Sequence, residues 1–278
     1  MDTTFLGTAL GAVVGLILAL TGAGGGILAV PLLVFGLHLT MAQAAPIGLV
    51  AVGMAALLGA VLGLREGIVR YRAALLIGCT GMLLAPLGLW LGQRLPNRPL
   101  LLGFAVVLAY ASWRIHKQAQ RALAPPMQPS ATTAAEGSRP CLLDPAEGRL
   151  HWTRPCARAL SGTGMVSGLL SGMLGVGGGF VIVPALTRYT DLTTRSILAT
   201  SLAVIALVSI GGVSAAALSG AILWPLAWPF TLGAIGGLMA GKVIASRLAG
   251  PRLQQGFAVV GACVSLLVVA RALGLLLP

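Results

Sequence analysis

The sequence is poor in charged residues and poorest in acidic ones. Only 9% of its 278 residues are charged, and 6 of them are Asp or Glu against 18 Lys or Arg. No formally charged side chain occurs between Thr3 and Leu64 or between Ser196 and Gly241. Each stretch is long enough for more than one membrane span at about 20 residues per span. With 57% hydrophobic residues and a mean hydropathy of +0.96, the chain is predicted to be an all-α, polytopic membrane protein.

The residues needed for several kinds of chemistry are also missing. All six acids fall at predicted helix ends or in loops, so no carboxylate is available for a cation site or a proton relay inside the membrane. The sequence contains no GxxxxGK[ST] phosphate loop, which excludes ATP hydrolysis by that route. The three histidines form no paired ligand set for haem, and the four cysteines lack redox spacing. We therefore predict that the protein is not an enzyme and holds no cofactor and no metal.

Glycine, by contrast, is abundant, with 39 residues, and it forms part of a glycine-proline signature that occurs twice. The first copy reads TGAGGGILAVPLL at residues 21–33, and the second reads LGVGGGFVIVPAL at residues 174–186. Equivalent positions are 153 residues apart, and this offset holds without a gap over residues 11–112 of the first half. The two halves are therefore predicted to derive from one duplicated unit.

Apolar runs between Pro, Gly and Arg breaks predict five helical segments in each half. They fall near residues 6–20, 27–38, 43–64, 72–93 and 99–115, and near residues 159–173, 180–187, 195–218, 225–247 and 252–277. The last three segments of each half can cross a bilayer, whereas at about 1.5 Å per residue the first two are shorter than its hydrocarbon core of about 30 Å. Each signature is therefore predicted to form the tip of a helical hairpin that enters the membrane, turns back and faces an internal site.

These segments predict a first transmembrane repeat at residues 1–115, a linker at residues 116–158 and a second transmembrane repeat at residues 159–278. Loop charges have opposite bias in the two halves, because three arginines fall in the loop at residues 65–72 while the matching loop at residues 219–224 is uncharged. Opposite bias at equivalent positions indicates an inverted repeat.

The linker is rich in Pro, Ala, Ser and Thr, as is typical of a solvated connection. Seven basic residues against three acids between Arg114 and Arg158 predict that it is cytoplasmic. A zinc site formed by Cys141, His151 and Cys156 is a weaker alternative, because it would need closer cysteine pairs and a fourth ligand.

The glycines of the two signatures are the main candidates for a substrate site. A Gly-Gly-Gly run before a short helix leaves backbone N–H groups free and directs the positive end of the helix dipole toward a cavity, which favours an anion. The alternative interpretation is that the glycines only let helices pack closely. The predicted substrate-binding glycines are Gly24, Gly25, Gly26, Gly177, Gly178 and Gly179.

Five polar side chains extend this predicted set: Gln43, its counterpart Ser196, Thr200, Ser201 and Lys242. Hydrogen bonding within a helix, or helix packing, is the alternative role for the first four. Lys242 is the one cation inside an apolar segment, so it either extends to the membrane interface or attracts anions in a vestibule.

The sequence resembles the sulfite exporter family TauE/SafE over nearly the whole chain. The resemblance rests on GAGGGILAVP and GVGGGFVIVP, on the Ala-Thr-Ser run at residues 199–201, and on DPAEGRLHWT before the second half. It implies a transporter in the bacterial inner membrane that exports sulfite, an organosulfonate or a similar small anion. The first half departs from the pattern, with Pro-Ile-Gly at residues 46–48.

We therefore predict a secondary transporter, an exporter, that moves a small sulfur-containing oxyanion by alternating access. An uptake carrier or channel for another small anion or a neutral solute is one alternative, and a nontransporting membrane scaffold is another. The predicted partners are a small anionic substrate and the lipid bilayer. Nucleic acid is not expected, because the basic residues form no basic face interleaved with aromatics. A homo-oligomer is compatible with the sequence.

Overall fold

The structure, a computed structural model, describes residues 3–21, 24–123, 141, 153–248 and 251–273. These residues confirm the all-α prediction, because they form helices and no strand. The helices are α1 (Thr3–Thr21), α2 (Gly24–Gly36), α3 (Met41–Arg65), α4 (Tyr71–Arg94), α5 (Asn97–Leu123), α6 (Arg154–Leu174), α7 (Gly179–Tyr189), α8 (Thr194–Leu218), α9 (Trp224–Leu248) and α10 (Pro251–Ala272).

Five of the described helices, α1, α3, α4, α5 and α8, are long and apolar enough to cross a membrane by length and composition. For α1 this differs from the prediction that the first segment is too short to span. The helix has 19 residues, which corresponds to about 28 Å at 1.5 Å per residue. The segment was underestimated because the apolar run was taken to begin at residue 6, whereas the helix continues through the uncharged residues before it.

Local sequence signals determine both ends of α6 and the start of α8. Thr153 precedes α6, and its Oγ1 accepts a hydrogen bond from the backbone N–H of Cys156 at 3.2 Å. The helix ends at Gly175, whose φ of 72° is a left-handed conformation that glycine adopts without steric cost. At the start of α8, Oγ1 of Thr193 accepts from the backbone N–H of Ser196 at 3.4 Å. These caps satisfy N–H groups that a helix start leaves without intrahelical partners.

The two halves pack against each other through glycine-lined helix pairs. Helix α4 runs parallel to α6, with Gly81 against Gly168 and Gly92 against Met173. Helix α1 runs parallel to α9 in the same way, with Gly11 against the backbone of Phe230. Small residues allow such close backbone approach, which supplies packing contacts where no hydrophobic effect drives helices together inside a bilayer.

Two further pairs join the same helix of each half. Helices α3 and α8 run antiparallel, because Gly53 faces Ser209 while Gly63 faces Ala199. Helices α5 and α10 are also paired, and Oγ of Ser265 donates a hydrogen bond to a backbone carbonyl of α5 at 2.9 Å. The pairings follow the repeat, in which α1 to α5 correspond in order to α6 to α10. The pair of α1 with α9 corresponds to the pair of α6 with α4, and the α3–α8 and α5–α10 pairs each join equivalent helices.

One end of the bundle, which we call the basic end, collects most of the described cations. The C-terminus of α3 meets the N-terminus of α8 there, because the backbone N–H of Arg70 donates to Oγ1 of Thr200 at 3.1 Å. Because α4 and α6 run parallel, their N-termini lie at this end together. The described basic residues at this end include Arg65, Arg70, Arg72, Arg114, Lys117, Arg154, Arg158, Arg188, Arg195 and Lys242.

The other end, which we call the opposite end, has fewer cations. There the backbone N–H of Met41, at the start of α3, donates to Oδ1 of Asn97 at the start of α5, at 3.2 Å. Arg271 of α10 lies on the same side, where its Nη1 donates to the carbonyl of Val34 at 3.1 Å. The described cations at this end include Arg94, Arg98 and Arg271.

Candidate functional site

Helices α1 and α2 form the first hairpin, and α6 and α7 form the second hairpin, with one signature at each tip. In the first hairpin, Gly24 is the first residue of α2, and Gly25 and Gly26 are buried in its first turn. A side chain at Gly25 would collide with the backbone of Leu18 in α1, and one at Gly26 would collide with the carbonyl of Val176 in the second tip. The two predicted tips therefore contact each other, and their glycines permit that contact.

The second tip is bent by residues in the left-handed conformation. Gly177 and Gly178 have φ values of 74° and 70°, which strongly favour glycine. Gly178 lies against Ser167 of α6, and Oγ of Ser167 donates a hydrogen bond to the Gly178 carbonyl at 3.2 Å. Gly179 is the buried first residue of α7. These contacts account for the glycines as packing residues, and their role in substrate binding stays a prediction.

A cavity of about 720 Å³ opens near the basic end and extends to the first hairpin. Thr21, the last residue of α1, and Ile27, in the first turn of α2, line it on either side of the first tip. The walls come from α5, α7 and the start of α8, including Phe180 and Pro184 of the second hairpin. Because α2 begins at this tip, the positive end of its dipole lies beside the cavity.

Charged side chains around the cavity are mostly basic. Arg114 and Lys117 from α5 and Arg188 from α7 line it, with Asp191 as the one carboxylate among the lining residues. The formal charge of the lining side chains is therefore positive, which favours anionic solutes. These three cations were not among the predicted site residues, because they belong to different halves of the sequence. The one sequence signal that marks the α5 cations is an aromatic residue four positions before each of them, Tyr110 and Trp113.

The predicted polar residues of α8 lie in its buried N-terminal part, and two of them hold the loop that connects α3 and α4. Oγ of Ser196 donates to the carbonyl of Ile68 at 2.7 Å, and Oγ1 of Thr200 accepts from the N–H of Arg70 at 3.1 Å. Oγ of Ser201 donates to the carbonyl of Leu198 within α8 at 2.8 Å. These hydrogen bonds give all three side chains a structural partner.

Gln43 lies at the other end of the molecule from its counterpart Ser196. It is exposed in the first turn of α3, where its Oε1 accepts from both the N–H and the Oγ1 of Thr40, at 3.2 and 3.1 Å. This is a capping box. The sequence pattern Thr-x-x-Gln is a helix-start signal, and it gives Gln43 a structural role as a helix cap.

Lys242 pairs with an acid at the basic end. Its Nζ lies 2.7 Å from Oε1 of Glu66, and Nη2 of Arg195 lies 3.9 Å from Oε2 of the same carboxylate. The hydrogen bond from Lys242 lowers the pKa of Glu66 below its ordinary value of 4.5, with smaller electrostatic contributions from both cations, against a desolvation effect that raises it. The structure thus brings Lys242 to the loop after α3, with its side chain 44% exposed.

Cys141 and Cys156 form a disulfide at the basic end. The backbone N–H of Cys141 also donates to the carbonyl of Tyr189 at 3.2 Å, so this point of the linker joins the start of α6 to the end of α7. The zinc alternative is therefore wrong, because bridged sulfurs are not thiolate ligands. His151 and most of the linker lie outside the described residues. Within the described residues, no group of three or more His, Cys, Asp or Glu could hold a metal.

The apolar helices and the paired hairpins define a polytopic, all-α membrane protein. The family profile described as Sulfite exporter TauE/SafE matches residues 7–268. The chain belongs to the TauE/SafE family, which confirms the resemblance and identifies a membrane transporter rather than an enzyme.

Curated relatives agree with this assignment. The chain is 31% identical over 268 residues to a "Probable membrane transporter protein" of Xylella fastidiosa strain Temecula1, covering 94% of this chain and 93% of that relative. It is 29% identical over 266 residues to a protein of the same description from strain 9a5c, with the same coverage. No solved structure matches the chain with statistical significance.

Proposed function

We propose that this protein is a secondary transporter that exports sulfite, an organosulfonate or a similar small oxyanion by alternating access. The observation that carries the proposal is the cavity that extends from the basic end to the first hairpin tip, where Thr21 and Ile27 line it. Backbone at the start of a helix within an apolar bundle can bind a ligand only where such a cavity reaches it. This arrangement supports a substrate site beside the first turn of α2.

Three features favour an anion at that site. The positive end of the α2 dipole lies beside the cavity, and three cations line the cavity walls against one carboxylate. Of the acids in the described residues, Glu66 and Asp191, neither lies within a helix. A cation or proton pathway would require carboxylates inside the bundle. The backbone N–H groups at the start of α2 instead offer hydrogen-bond donors, which an oxyanion accepts.

The helix pairings support alternating access between two inverted halves. Exchanging the halves preserves the pairs α1 with α9 and α4 with α6, and the central helices α3 and α8 run antiparallel. Transporters with inverted repeats move one unit against the other around a central site. The direct contact between Gly26 and Val176 gives the two tips a shared boundary at which such movement can open and close the site.

The proposed location is the bacterial inner membrane, with the basic end in the cytoplasm. Cations cluster at the cytoplasmic ends of membrane helices, and those at the basic end outnumber those at the opposite end. In this orientation the cavity faces the cytoplasm, where an exported anion is loaded. An inside-negative potential supplies about 2.3 kcal/mol per unit charge per 100 mV for outward movement of an anion, so export needs no ATP.

The test is transport by purified protein in liposomes that contain radiolabelled sulfite or sulfoacetate. We expect an inside-negative potential to drive release and a reversed potential to suppress it. Liposomes without protein control for leakage, and radiolabelled glucose controls for nonselective pores. The proposal is wrong if folded protein, verified by its thermal unfolding, releases neither anion faster than protein-free liposomes.

A further inference from the structure

We propose that Arg114, Lys117 and Arg188 form a second anion site at the mouth of the cavity, which captures a small oxyanion before it reaches the glycine tip. This inference rests on the proposed function, because the capture site loads the transport site. The three cations belong to α5 and α7, helices from different halves, and all three line the same cavity. The first hairpin tip is bounded by other residues of that cavity, so the two sites occupy different parts of it.

Aromatic side chains position the two α5 cations. Nε of Arg114 donates a hydrogen bond to Oη of Tyr110 at 2.9 Å, and its guanidinium carbon lies 5.4 Å from the centre of the Tyr110 ring. Three residues further along α5, Nζ of Lys117 lies 4.5 Å from the centre of the Trp113 ring. Each cation follows its aromatic partner by four residues, one helical turn later on the same face. These contacts reduce the conformational freedom that the cations would lose on binding an anion.

The other wall of the mouth supplies one cation and hydroxyl groups. Arg188 lies in the last turn of α7, where the negative end of the helix dipole favours a positive charge. Thr187 and Thr194 line the cavity beside it, and Asp191 is the single carboxylate among the described residues that line the cavity. A guanidinium presents paired donors that fit an oxyanion, and the hydroxyl of Thr194 adds a further donor, whereas the Thr187 hydroxyl donates to the carbonyl of Val183 at 2.8 Å. A cleft lined mainly by one sign of charge also raises the local concentration of counter-ions.

The opposite end offers a matched control. Arg94 lies 4.7 Å above the ring of Trp90, four residues earlier on α4, in the same aromatic-cation arrangement as on α5. Neither Trp90 nor Arg94 lines the cavity. If such pairs act only as anchors at the membrane interface, replacing Arg94 and replacing Arg114 should have similar effects. If the α5 cations capture anions, the two replacements should differ.

The experiment compares the Arg114→Gln, Arg188→Gln and Arg94→Gln variants in proteoliposomes of known orientation, with sulfite supplied to the basic end. At low ionic strength we expect each of the first two to raise KM about tenfold with little change in the maximum rate. The difference should shrink to about twofold in 0.5 M salt, because screening weakens exposed electrostatic attraction. Arg94→Gln should transport like the unaltered protein. Equal KM changes in all three variants, or a KM that does not depend on Arg114 and Arg188, would overturn the inference.

A binding measurement separates failure of this inference from failure of the proposed function. Purified protein in lipid-free detergent is heated with sulfite, with sulfate, or with phosphatidylglycerol added in place of either anion. The capture site predicts that the free anions raise the unfolding temperature, and that Arg114→Gln with Arg188→Gln reduces the rise. If the anions stabilise the protein in this way but no transport is measured, the proposed function is refuted and the capture site is still supported. Stabilisation by phosphatidylglycerol but by neither free anion would overturn the capture site and assign these cations to a lipid headgroup.

Discussion

The two hairpin tips carry the same signature, but their surroundings differ. The cavity touches the first tip on both sides, at Thr21 of α1 and Ile27 of α2, whereas it touches the second tip only through α7, at Phe180, the counterpart of Ile27. The second tip is also bent by left-handed residues at Gly177 and Gly178. In the second hairpin a disulfide joins the start of α6 to the linker at the end of α7. The same motif therefore borders the cavity through both helices of the first hairpin but through only one helix of the second.

This difference is what one state of an alternating-access transporter should show. Under the proposed alternating access, the cavity gives the site access from the basic end, and closure toward the opposite end is assigned to the second tip. In the other state, the roles of the tips should exchange.

Adding a methyl group at either tip should have the largest effect. Gly178→Ala combines a left-handed backbone with a collision against Ser167, and Gly26→Ala places its methyl against the Val176 carbonyl. We expect each to destabilise the folded protein by about 2–5 kcal/mol, from backbone strain and overpacking together. Thermal unfolding in detergent measures the change.

Gly162→Ala in α6 is the control for this prediction, since nothing lies within 4 Å of a methyl at that position. It should unfold at or slightly above the temperature of the unaltered protein, because alanine favours a helix. Normal stability of Gly26→Ala would show that the two tips do not press against each other.

Thiol accessibility compares equivalent positions of the two hairpins directly. Thr187 is exposed and lines the cavity, while Val34, its counterpart at the repeat offset, is 2% exposed. In a background with Cys79 and Cys263 replaced by Ala, Thr187→Cys should react with a membrane-impermeant maleimide at least about tenfold faster than Val34→Cys, since burial blocks access. Mass spectrometry measures the rates. Similar reaction rates at the two positions would show that the two hairpins do not differ in accessibility.

Reduction of the Cys141–Cys156 disulfide should remove the covalent link between the linker and the second hairpin. We expect dithiothreitol to increase proteolysis in the linker severalfold, because Cys141 then keeps its backbone contact to Tyr189 but loses its covalent attachment to α6. Cys156→Ser should behave like the reduced protein without dithiothreitol. If the basic end is cytoplasmic, alkylation in intact cells should find the pair mainly reduced. Complete oxidation in cells would argue against that orientation.

Equivalent polar positions should contribute unequally. Ser196→Ala removes a donor to Ile68 that links α8 to the loop after α3, and Gln43→Ala removes an exposed helix cap at Thr40. We expect losses of about 1–2 kcal/mol for Ser196→Ala and about 0.5 kcal/mol for Gln43→Ala, because an unpaired carbonyl costs more where it is less solvated. Chemical denaturation measures both. A larger loss for Gln43→Ala would contradict these assignments.

The smallest effect concerns Glu66 and its pH dependence. Because the folded-state pKa of Glu66 is lowered, its pairing with Lys242 stabilises the protein above pH 4.5 and is lost as the pH falls through the lowered pKa. The side chains are well exposed, so the loss should be small. Comparing unfolding temperatures at pH 6 and pH 3 should show a slightly smaller drop for Glu66→Gln than for the unaltered protein. A larger drop for Glu66→Gln than for the unaltered protein would contradict a stabilising contribution of Glu66 above pH 4.5.

The helices could be predicted from the sequence because Pro, Gly and Arg mark their boundaries in an apolar chain. The structure places α3 at Met41–Arg65 where residues 43–64 were predicted. The start of α6 was placed at residue 159 instead of Arg154, although Thr153 followed closely by Pro155 is a helix-start signal. Local signals of this kind determine the elements without knowledge of their packing.

The cavity and its cations could not be predicted in the same way. Arg114 and Arg188 are 74 residues apart in sequence and come together because α5 and α7 border one cavity. Such proximity depends on which helices pair across the halves, and periodicity within one helix carries no information about it. For the same reason Lys242 was recognised as unusual, but its partner Glu66 was not identified.

Counterflow in proteoliposomes tests the central claim most directly. Liposomes loaded with unlabelled sulfite are diluted into a trace of radiolabelled sulfite, with the membrane potential held at zero. A carrier with alternating access exchanges the two pools, so the account predicts a transient accumulation of label above its equilibrium level, absent when the liposomes contain only chloride. Simple equilibration without an overshoot would indicate a channel, and no protein-dependent entry of label would contradict anion transport itself.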